Sequence, residues 1–211
     1  MRSPRLHIIT DDATLARPSF DDTATAILET AGPRAAMHVR GHRTPAALLH
    51  ERASALVRTA ARTGSVVLVN DRADIALTSA AHGVQLGRRS APIAFVRQLL
   101  PAATIGYSAH GADEVLAADS DGADFVILGA IWDTPTHPGA HAAGPALIEV
   151  VAARTPADIV AIGGITPLRV AEIAAAGGAG VAVLSGVWSA ADPVAALESY
   201  LNALGVFAPG S

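Results

Sequence analysis

Residues 159–178 read IVAIGGITPLRVAEIAAAGG and contain one complete strand–turn–helix pattern. The first four residues are apolar without polar alternation, which is typical of a strand buried on both faces of a parallel sheet. Two glycines end this run, and Thr166 followed by Pro167 gives the N-cap and first-position signals of a helix. Gly177 marks the end of that helix. The stretch predicts one β/α unit with a glycine turn after the strand.

Similar apolar runs recur along the whole chain. They are LHIIT (6–10), AAMHV (35–39), SVVLVN (65–70), GVQL (83–86), TIGYS (104–108), FVILG (125–129), IVAIG (159–163) and GVAVLS (180–185). Helix-like segments rich in Ala and Leu lie between them, one with Thr44 as N-cap and Pro45 at its first position. Eight such units predict a single compact (β/α)8 TIM barrel, and an open doubly wound sheet is the alternative. The barrel is expected over 1–205, with a frayed tail over 206–211.

The amino-acid composition excludes several classes of partner and of catalytic chemistry. The net charge of -4 and the 4% aromatic content argue against nucleic-acid partners and anionic membranes. The N-terminal stretch lacks a secretory signal pattern, and no apolar run approaches the roughly 18 residues that span a bilayer, so a cytoplasmic protein is expected. There is no cysteine, and all 15 basic residues are arginine. Thiolate, disulfide and lysine Schiff-base chemistry are therefore excluded.

In a TIM barrel the active site lies at the carboxyl ends of the strands, and phosphate usually binds to the loops after strands seven and eight. Gly163 and Gly164 follow the seventh run, and Ser185 and Gly186 follow the eighth. Glycines let backbone amides approach a ligand closely. These four residues are the predicted phosphate site.

Polar residues also follow strands two, three and five. Arg40 is expected to bind a carboxylate or phosphate, and Asn70 with Asp71 to contact substrate. Asp71 could bind Mg²⁺, but the next strand ends VQLGRRS and offers no second carboxylate, which argues against a metal site. His110, near Ser108, is the strongest acid/base candidate because imidazole titrates near neutrality.

The stretch AIWDTPTHPG (130–139) follows strand six and resembles an anion-binding loop. Thr134 and Thr136 are expected to contact substrate, and His137 stands where a lysine or arginine would be expected. The sequence leaves open whether the 132–142 loop closes over substrate. His7 and His38, which lie within strands one and two, are interpreted as packed barrel residues.

Several stretches together resemble the thiamine phosphate synthase/thiazole tautomerase family. They are LHIITDD, HVRGH, VLVNDRADIAL, HGVQLG, IGYSAH, the run from DEVLAADS to IWDTPTH, IVAIGGITPLRV and GAGVAVLSGVWSAADP. The resemblance implies one of two activities on a small phosphorylated thiazole. Synthases join hydroxymethylpyrimidine diphosphate to thiazole phosphate with release of pyrophosphate. TenI-like tautomerases aromatise a carboxythiazole phosphate. Barrels of this type are often homodimers or larger assemblies.

Three positions depart from the synthase pattern. Synthases resembling this chain have Arg-x-Lys after strand two, where the lysine position is His42. They have two acidic Mg²⁺ ligands after strands three and four, and the second falls at Ser90. They have Thr-x-Thr-Lys after strand six, which ends here in His137. Each change removes a cation or a metal ligand that would stabilise departing pyrophosphate. Arg43, Arg88 or Arg89 could compensate.

These departures favour a TenI-like thiazole tautomerase without metal or cofactor. The resemblance implies that His110 moves the proton and that Arg40 holds the carboxylate. One alternative is a thiamine phosphate synthase that uses Mg²⁺ through Asp71. Another is a non-catalytic barrel that binds a phosphorylated ligand or has a regulatory role.

Overall fold

The structure is a computed structural model that describes residues 4–134 and 142–207. Its strands are β1 (Leu6–Ile9), β2 (Ala35–Val39), β3 (Val66–Asn70), β4 (Gly83–Leu86), β5 (Thr104–Ala109), β6 (Phe125–Leu128), β7 (Asp158–Ile162) and β8 (Gly180–Val183). The helices in the described ranges are α1 (Asp12–Leu15), α2 (Phe20–Ala31), α3 (Ala46–Thr63), α4 (Ala73–Thr78), α5 (Ile93–Leu99), α6 (Ala112–Ser120), α7 (Ala146–Ala152), α8 (Val170–Ala175), α9 (Ser185–Trp188) and α10 (Pro193–Ala203). None of them is long and apolar enough to cross a membrane.

All eight strands are parallel and pair in chain order, and β8 pairs with β1 to close the barrel. The predicted (β/α)8 barrel is confirmed. Side chains that point outward pack against the helices and form the main core, and a smaller cluster that includes Phe125 fills the inside of the barrel. Both faces of each strand are covered, which explains the apolar runs without polar alternation.

The inside of the barrel contains a buried histidine pair. His7 and His38 are both 0% exposed, and His7 Nδ1 lies 2.8 Å from His38 Nε2. Phe125 packs on the His7 ring with 4.9 Å between the ring centroids. Burial lowers the pKa of His7 to about 4 and the pKa of His38 well below its usual value. Both rings are therefore neutral near pH 7, as packed barrel residues.

One predicted helix start is wrong and one is confirmed. Helix α3 begins at Ala46 with Pro45 as its N-cap, because the Thr44 hydroxyl donates to Asp12 Oδ1 (2.6 Å) and not to the helix. After β7, Thr166 is the N-cap and Pro167 the first residue of a 3-10 turn over Pro167–Arg169 that leads into α8.

The chain remains ordered past residue 205. A 3-10 turn covers Leu204–Val206, and the Arg5 guanidinium lies 5.6 Å from the centre of the Phe207 ring. Residues 206 and 207 of the predicted tail thus have defined structure and contacts, and 208–211 lie outside the described residues.

Candidate active site

A cavity of about 980 Å³ opens at the carboxyl ends of the barrel strands. Its lining comes from the loops after β2 to β8, with Ile9 of β1 and Tyr200 of α10. Four arginines and two aspartates line it, although the whole chain carries a net charge of -4. The arginines are Arg40, Arg88, Arg89 and Arg169, and the aspartates are Asp71 and Asp133. The mouth of the barrel is therefore cationic on an otherwise acidic protein.

The loop after β7 has the backbone that the two glycines predict. Gly163 and Gly164 have φ of 98° and 64°, values that other residues rarely adopt. A Cβ on Gly164 would lie 2.7 Å from the carbonyl oxygen of Asp133. Within the described residues, the amides of Gly164 and Ile165 donate to no backbone carbonyl. These amides are available to an anion.

Two side chains hold the carbonyl groups of this loop. The Arg169 guanidinium donates to the Gly164 carbonyl at 2.6 Å and lies 4.7 Å from the centre of the Trp132 ring. The buried Tyr200 hydroxyl donates to the Ile165 carbonyl at 2.9 Å. Both carbonyls are thus occupied by protein donors, which leaves the N–H groups as the free polar atoms of the loop.

Ser185 and Gly186, after β8, line the same cavity. A Cβ on Gly186 would lie 2.2 Å from the Tyr200 hydroxyl oxygen. Position 186 therefore requires glycine, because the Tyr200 hydroxyl lies where a Cβ would be. Gly163, Gly164, Ser185 and Gly186, the predicted phosphate site, line one cavity. Tyr200 contacts the loop after β7 at Ile165 and the loop after β8 at Gly186.

Arg40 lies on a short loop held by one carboxylate. Asp12 accepts hydrogen bonds from the amides of Arg43 (2.9 Å) and Thr44 (2.8 Å) and from the Thr44 hydroxyl. The Thr44 hydroxyl is the main cause that lowers the pKa of Asp12 to about 2. The Arg40 guanidinium donates to His42 Nε2 at 2.7 Å. The ring that replaces the expected lysine therefore contacts the arginine and accepts its hydrogen bond.

Asp71 and Asn70 line the cavity after β3. Asp71 has a φ of 62°, which is uncommon for a residue other than glycine, and its Oδ1 accepts a hydrogen bond from the Ser90 hydroxyl at 2.5 Å. Ser90 thus joins the loops after β3 and β4 at the position where the resemblance implies a second metal carboxylate.

This donor set does not fit a Mg²⁺ ion that bridges a diphosphate. Such an ion needs several oxygen ligands, usually including carboxylates. The loop after β3 offers Asp71, but the loop after β4 has Ser90 where a second carboxylate would be needed, and no cluster of three or more metal-ligating His, Asp or Glu side chains occurs in 4–134 and 142–207. The guanidinium groups of Arg88 and Arg89, which line the same cavity, would repel a cation.

Arg88 and Arg89 follow β4 and differ in their contacts. Arg88 forms an ion pair with Glu114, which also accepts the His110 amide at 2.9 Å. Burial raises the pKa of Glu114, but the hydrogen bonds from Arg88 and the His110 amide outweigh it and lower the pKa overall. Arg89 is exposed and makes no hydrogen bond or ion pair with another described residue. Arg88 is anchored, whereas Arg89 is free to meet a ligand.

His110 follows β5 and has one ring nitrogen fixed. Its Nδ1 lies 2.7 Å from the Gly129 carbonyl oxygen, which can only accept, so Nδ1 carries the proton. In the neutral ring, Nε2 is therefore the unprotonated nitrogen. Ser108 also lines the cavity, and its hydroxyl oxygen accepts from Gln85 Nε2 at 2.9 Å. His110 has the form that a proton acceptor requires.

The loop after β6 is described on both sides of residues 135–141. The amide of Ala143 donates to the Ala130 carbonyl at 3.0 Å, and that of Gly144 to the Ile131 carbonyl at 2.9 Å. Thr134 lines the cavity. Thr136 and His137 lie outside the described residues, as does most of the predicted 132–142 loop.

The structure thus brings together all of the predicted site residues that it describes. They are Arg40, Asn70, Asp71, Ser108, His110, Thr134, Gly163, Gly164, Ser185 and Gly186. The sequence reasoning missed Asp12, Arg169 and Tyr200, which position the loops. Arg169 ends the 3-10 turn that follows the glycine loop after β7, a position that could have identified it, whereas no local pattern identifies Tyr200 near the end of α10.

Sequence comparison places the chain among thiamine biosynthesis proteins. The family model described as thiamine monophosphate synthase matches residues 6–187. The chain is 43% identical over 153 residues to the thiamine biosynthesis bifunctional protein ThiM/ThiE of Symbiobacterium thermophilum, which covers 71% of this chain and 32% of that protein. It is 41% identical over 152 residues to the thiamine-phosphate synthase of Mycobacterium tuberculosis, covering 71% of this chain and 68% of the relative. The chain thus spans about a third of the bifunctional relative.

A solved structure of thiamine phosphate pyrophosphorylase from Pyrococcus furiosus is also similar, with a TM-score of 0.85 and 27% identity. The match covers 97% of this chain and 96% of that chain. The names of the Mycobacterium tuberculosis and Pyrococcus furiosus relatives agree with the alternative prediction of a thiamine phosphate synthase. None of them is named a tautomerase, so the preference for a TenI-like tautomerase gains no support and stays a prediction.

Proposed function

The chain belongs to the thiamine monophosphate synthase family, and on this premise we propose that it is a thiamine-phosphate synthase. Such a transferase joins hydroxymethylpyrimidine diphosphate to a thiazole phosphate and releases pyrophosphate. One observation carries the proposal, namely that a single cavity has two anion-binding faces. Two phosphorylated substrates require two such faces. The single substrate of a tautomerase carries a phosphate and a carboxylate, and one carboxylate does not require a face with three arginines.

The first face is formed by the loops after β7 and β8. It offers the amides of Gly164 and Ile165 together with Ser185 and Gly186, and the guanidinium group of Arg169 beside it donates to the Gly164 carbonyl. Backbone N–H groups in such glycine turns suit a phosphate monoester. We assign the thiazole phosphate to this face.

The second face is formed by the loops after β2 and β4. In the closed strand order, β4 lies opposite β8, and β2 is separated from β8 by β1. Arg40, Arg88 and Arg89 give this face several fixed positive charges. A diphosphate carries more charge than a monoester, and planar guanidinium groups bind its oxygens in pairs. We assign the pyrimidine diphosphate to this face.

With the two substrates bound in this way, the bond between the thiazole nitrogen and the pyrimidine methylene carbon forms without proton transfer. The thiazole nitrogen donates its lone pair to the methylene carbon of the pyrimidine substrate. The bond from that carbon to the diphosphate oxygen breaks, and its electron pair leaves with pyrophosphate. The arginines stabilise the charge that grows on the leaving group. His110 Nε2, as a hydrogen-bond acceptor, orients an N–H group of the substrate.

The direct test mixes the purified protein with hydroxymethylpyrimidine diphosphate and thiazole phosphate, and measures thiamine phosphate and pyrophosphate. We expect both products in equal amounts. Arg58 serves as a control because it is exposed on α3 and away from the cavity. Arg58→Gln should keep wild-type turnover, and Arg40→Gln should lower it. The absence of thiamine phosphate from the wild-type reaction would refute the proposal.

The tautomerase remains a second candidate, and one observation favours it. His110 is held by Gly129 in the tautomer that leaves Nε2 unprotonated, as a base that abstracts a ring proton requires. The two candidates predict different effects of His110→Ala. A base that moves the proton contributes about 10²–10⁴-fold, so tautomerase activity should nearly vanish. Synthase activity should fall by about tenfold or less, because an orienting hydrogen bond contributes only about 0.5–1.5 kcal/mol.

A further inference from the structure

The loop after β4 has the features of an anion site in which arginines replace a metal ion. The Gly87 amide donates to the Ser90 hydroxyl oxygen at 2.8 Å, and the Ser90 amide donates to the Gly87 carbonyl at 2.9 Å. This tight turn places Arg88 and Arg89 at its tip, on the cavity wall. The turn thus fixes the backbone from which both arginine side chains extend.

The contacts around the turn decide which group is available to a ligand. Ser90 donates to Asp71, and Arg88 is paired with Glu114, so two of the neighbouring carboxylates already have partners. Arg89 has none among the described residues. Within the described residues 71–72 and 87–92, these two loops contain one carboxylate, Asp71, and the unpaired charge beside it, on Arg89, is positive.

We propose that the Arg88–Arg89 turn binds the diphosphate group directly, without a divalent metal ion. The identity of this anion rests on the proposed function. Arg89 donates to the terminal phosphate oxygens, and Arg88 adds charge while its ion pair with Glu114 keeps the turn against the loop that carries His110. Asp71 acts through Ser90 as a positioning residue for the turn and binds no metal.

Inorganic pyrophosphate is the probe for this site. The protein is dialysed against EDTA, and binding is measured by titration calorimetry with EDTA and then with excess Mg²⁺. We expect pyrophosphate to bind in EDTA more tightly than orthophosphate does, and Mg²⁺ to leave the affinity unchanged or weaken it. Arg89→Gln should weaken binding by about tenfold, since charge-assisted hydrogen bonds are roughly twice as strong as neutral ones. Arg58→Gln should have no effect.

A second variant tests the role of Ser90. Ser90→Asp places a second carboxylate beside Asp71, so pyrophosphate binding should weaken in EDTA and recover when Mg²⁺ is added. Circular dichroism confirms that each variant is folded. Pyrophosphate binding by the wild type that requires Mg²⁺, equal affinities of Arg89→Gln and Arg58→Gln, or no pyrophosphate binding at all would overturn the inference.

The outcomes separate this inference from the proposed function. Metal-free pyrophosphate binding without any thiamine phosphate formation would support the arginine site and refute the synthase. Thiamine phosphate formation that stops in EDTA and returns with Mg²⁺ would support the synthase and refute the arginine site.

Discussion

Tyr200→Phe tests whether one hydroxyl group, through its hydrogen bond to Ile165, stabilises the predicted phosphate-binding loop after β7. The Tyr200 side chain is 3% exposed, and its hydroxyl donates to the Ile165 carbonyl at 2.9 Å. Burial raises the pKa of Tyr200, so the group stays a neutral donor. The variant leaves a buried carbonyl without its donor, which costs about 1–2 kcal/mol of the free energy of unfolding. For a chain of this size, that lowers Tm by roughly 2–8 °C.

The same hydroxyl couples Tyr200 to Gly186. A Cβ at 186 would lie 2.2 Å from the hydroxyl oxygen but 3.1 Å from the ring carbon Cζ. Gly186→Ala should therefore be strongly destabilising in the wild type and milder in the Tyr200→Phe background. We expect a coupling energy of about 1–2 kcal/mol, within the usual range for residues in contact.

Urea unfolding of the wild type, both single variants and the double variant measures this cycle, and orthophosphate titration reports on the loops. Tyr200→Phe should weaken orthophosphate binding severalfold, because the Ile165 amide is no longer held towards the cavity. Tyr107→Phe is the matched control, since its hydroxyl has no hydrogen-bond partner among the described residues. Strict additivity of the two variants, or unchanged stability and phosphate binding in Tyr200→Phe, would refute the reasoning.

Three further predictions concern groups outside the reacting atoms. Asp12→Ala should cost about 1–2 kcal/mol in urea unfolding and raise KM for the diphosphate, because the loop after β2 loses its acceptor; an unchanged KM would contradict this. His7 and His38 have folded-state pKa values below the unfolded value of 6.5, so stability should be full above pH 6.5 and fall as the pH drops towards 4, by about 3 kcal/mol for His7. A flat urea midpoint between pH 7 and 4.5 would exclude it. Arg169→Gln should weaken orthophosphate binding severalfold, since the Gly164 carbonyl loses its donor; wild-type affinity would show that this contact is dispensable.

The strands could be predicted from the sequence because barrel closure buries them on both faces. The bounds of β2 and β4 match the apolar runs, and most other strands differ by one residue. The eighth run was extended too far, to Ser185, because α9 begins at that residue directly after the strand. An apolar run shows where burial occurs but not where backbone pairing stops.

The start of α3 was less predictable because a distant residue competes for the capping group. Thr44 before Pro45 is a good local cap signal, yet Asp12 lies 32 positions away in sequence and takes its hydroxyl. Gly163 and Gly164 were predictable because positive φ is a local demand, whereas glycine at 186 is required by contact with the distant Tyr200. Tyr200 was not predictable, because its role comes from contact between α10 and a loop 35 residues earlier.

The arginines of the cavity mouth, Arg40, Arg88 and Arg89, make ligand binding sensitive to dissolved salt. A guanidinium group is part of every copy of the chain and keeps its charge at all physiological pH values. Its attraction for a phosphorylated ligand at an exposed rim weakens as dissolved salt screens the charges. If the diphosphate binds to the Arg88–Arg89 turn without a metal ion, as proposed above, substrate capture and product release should depend on ionic strength and not on the supply of divalent ions.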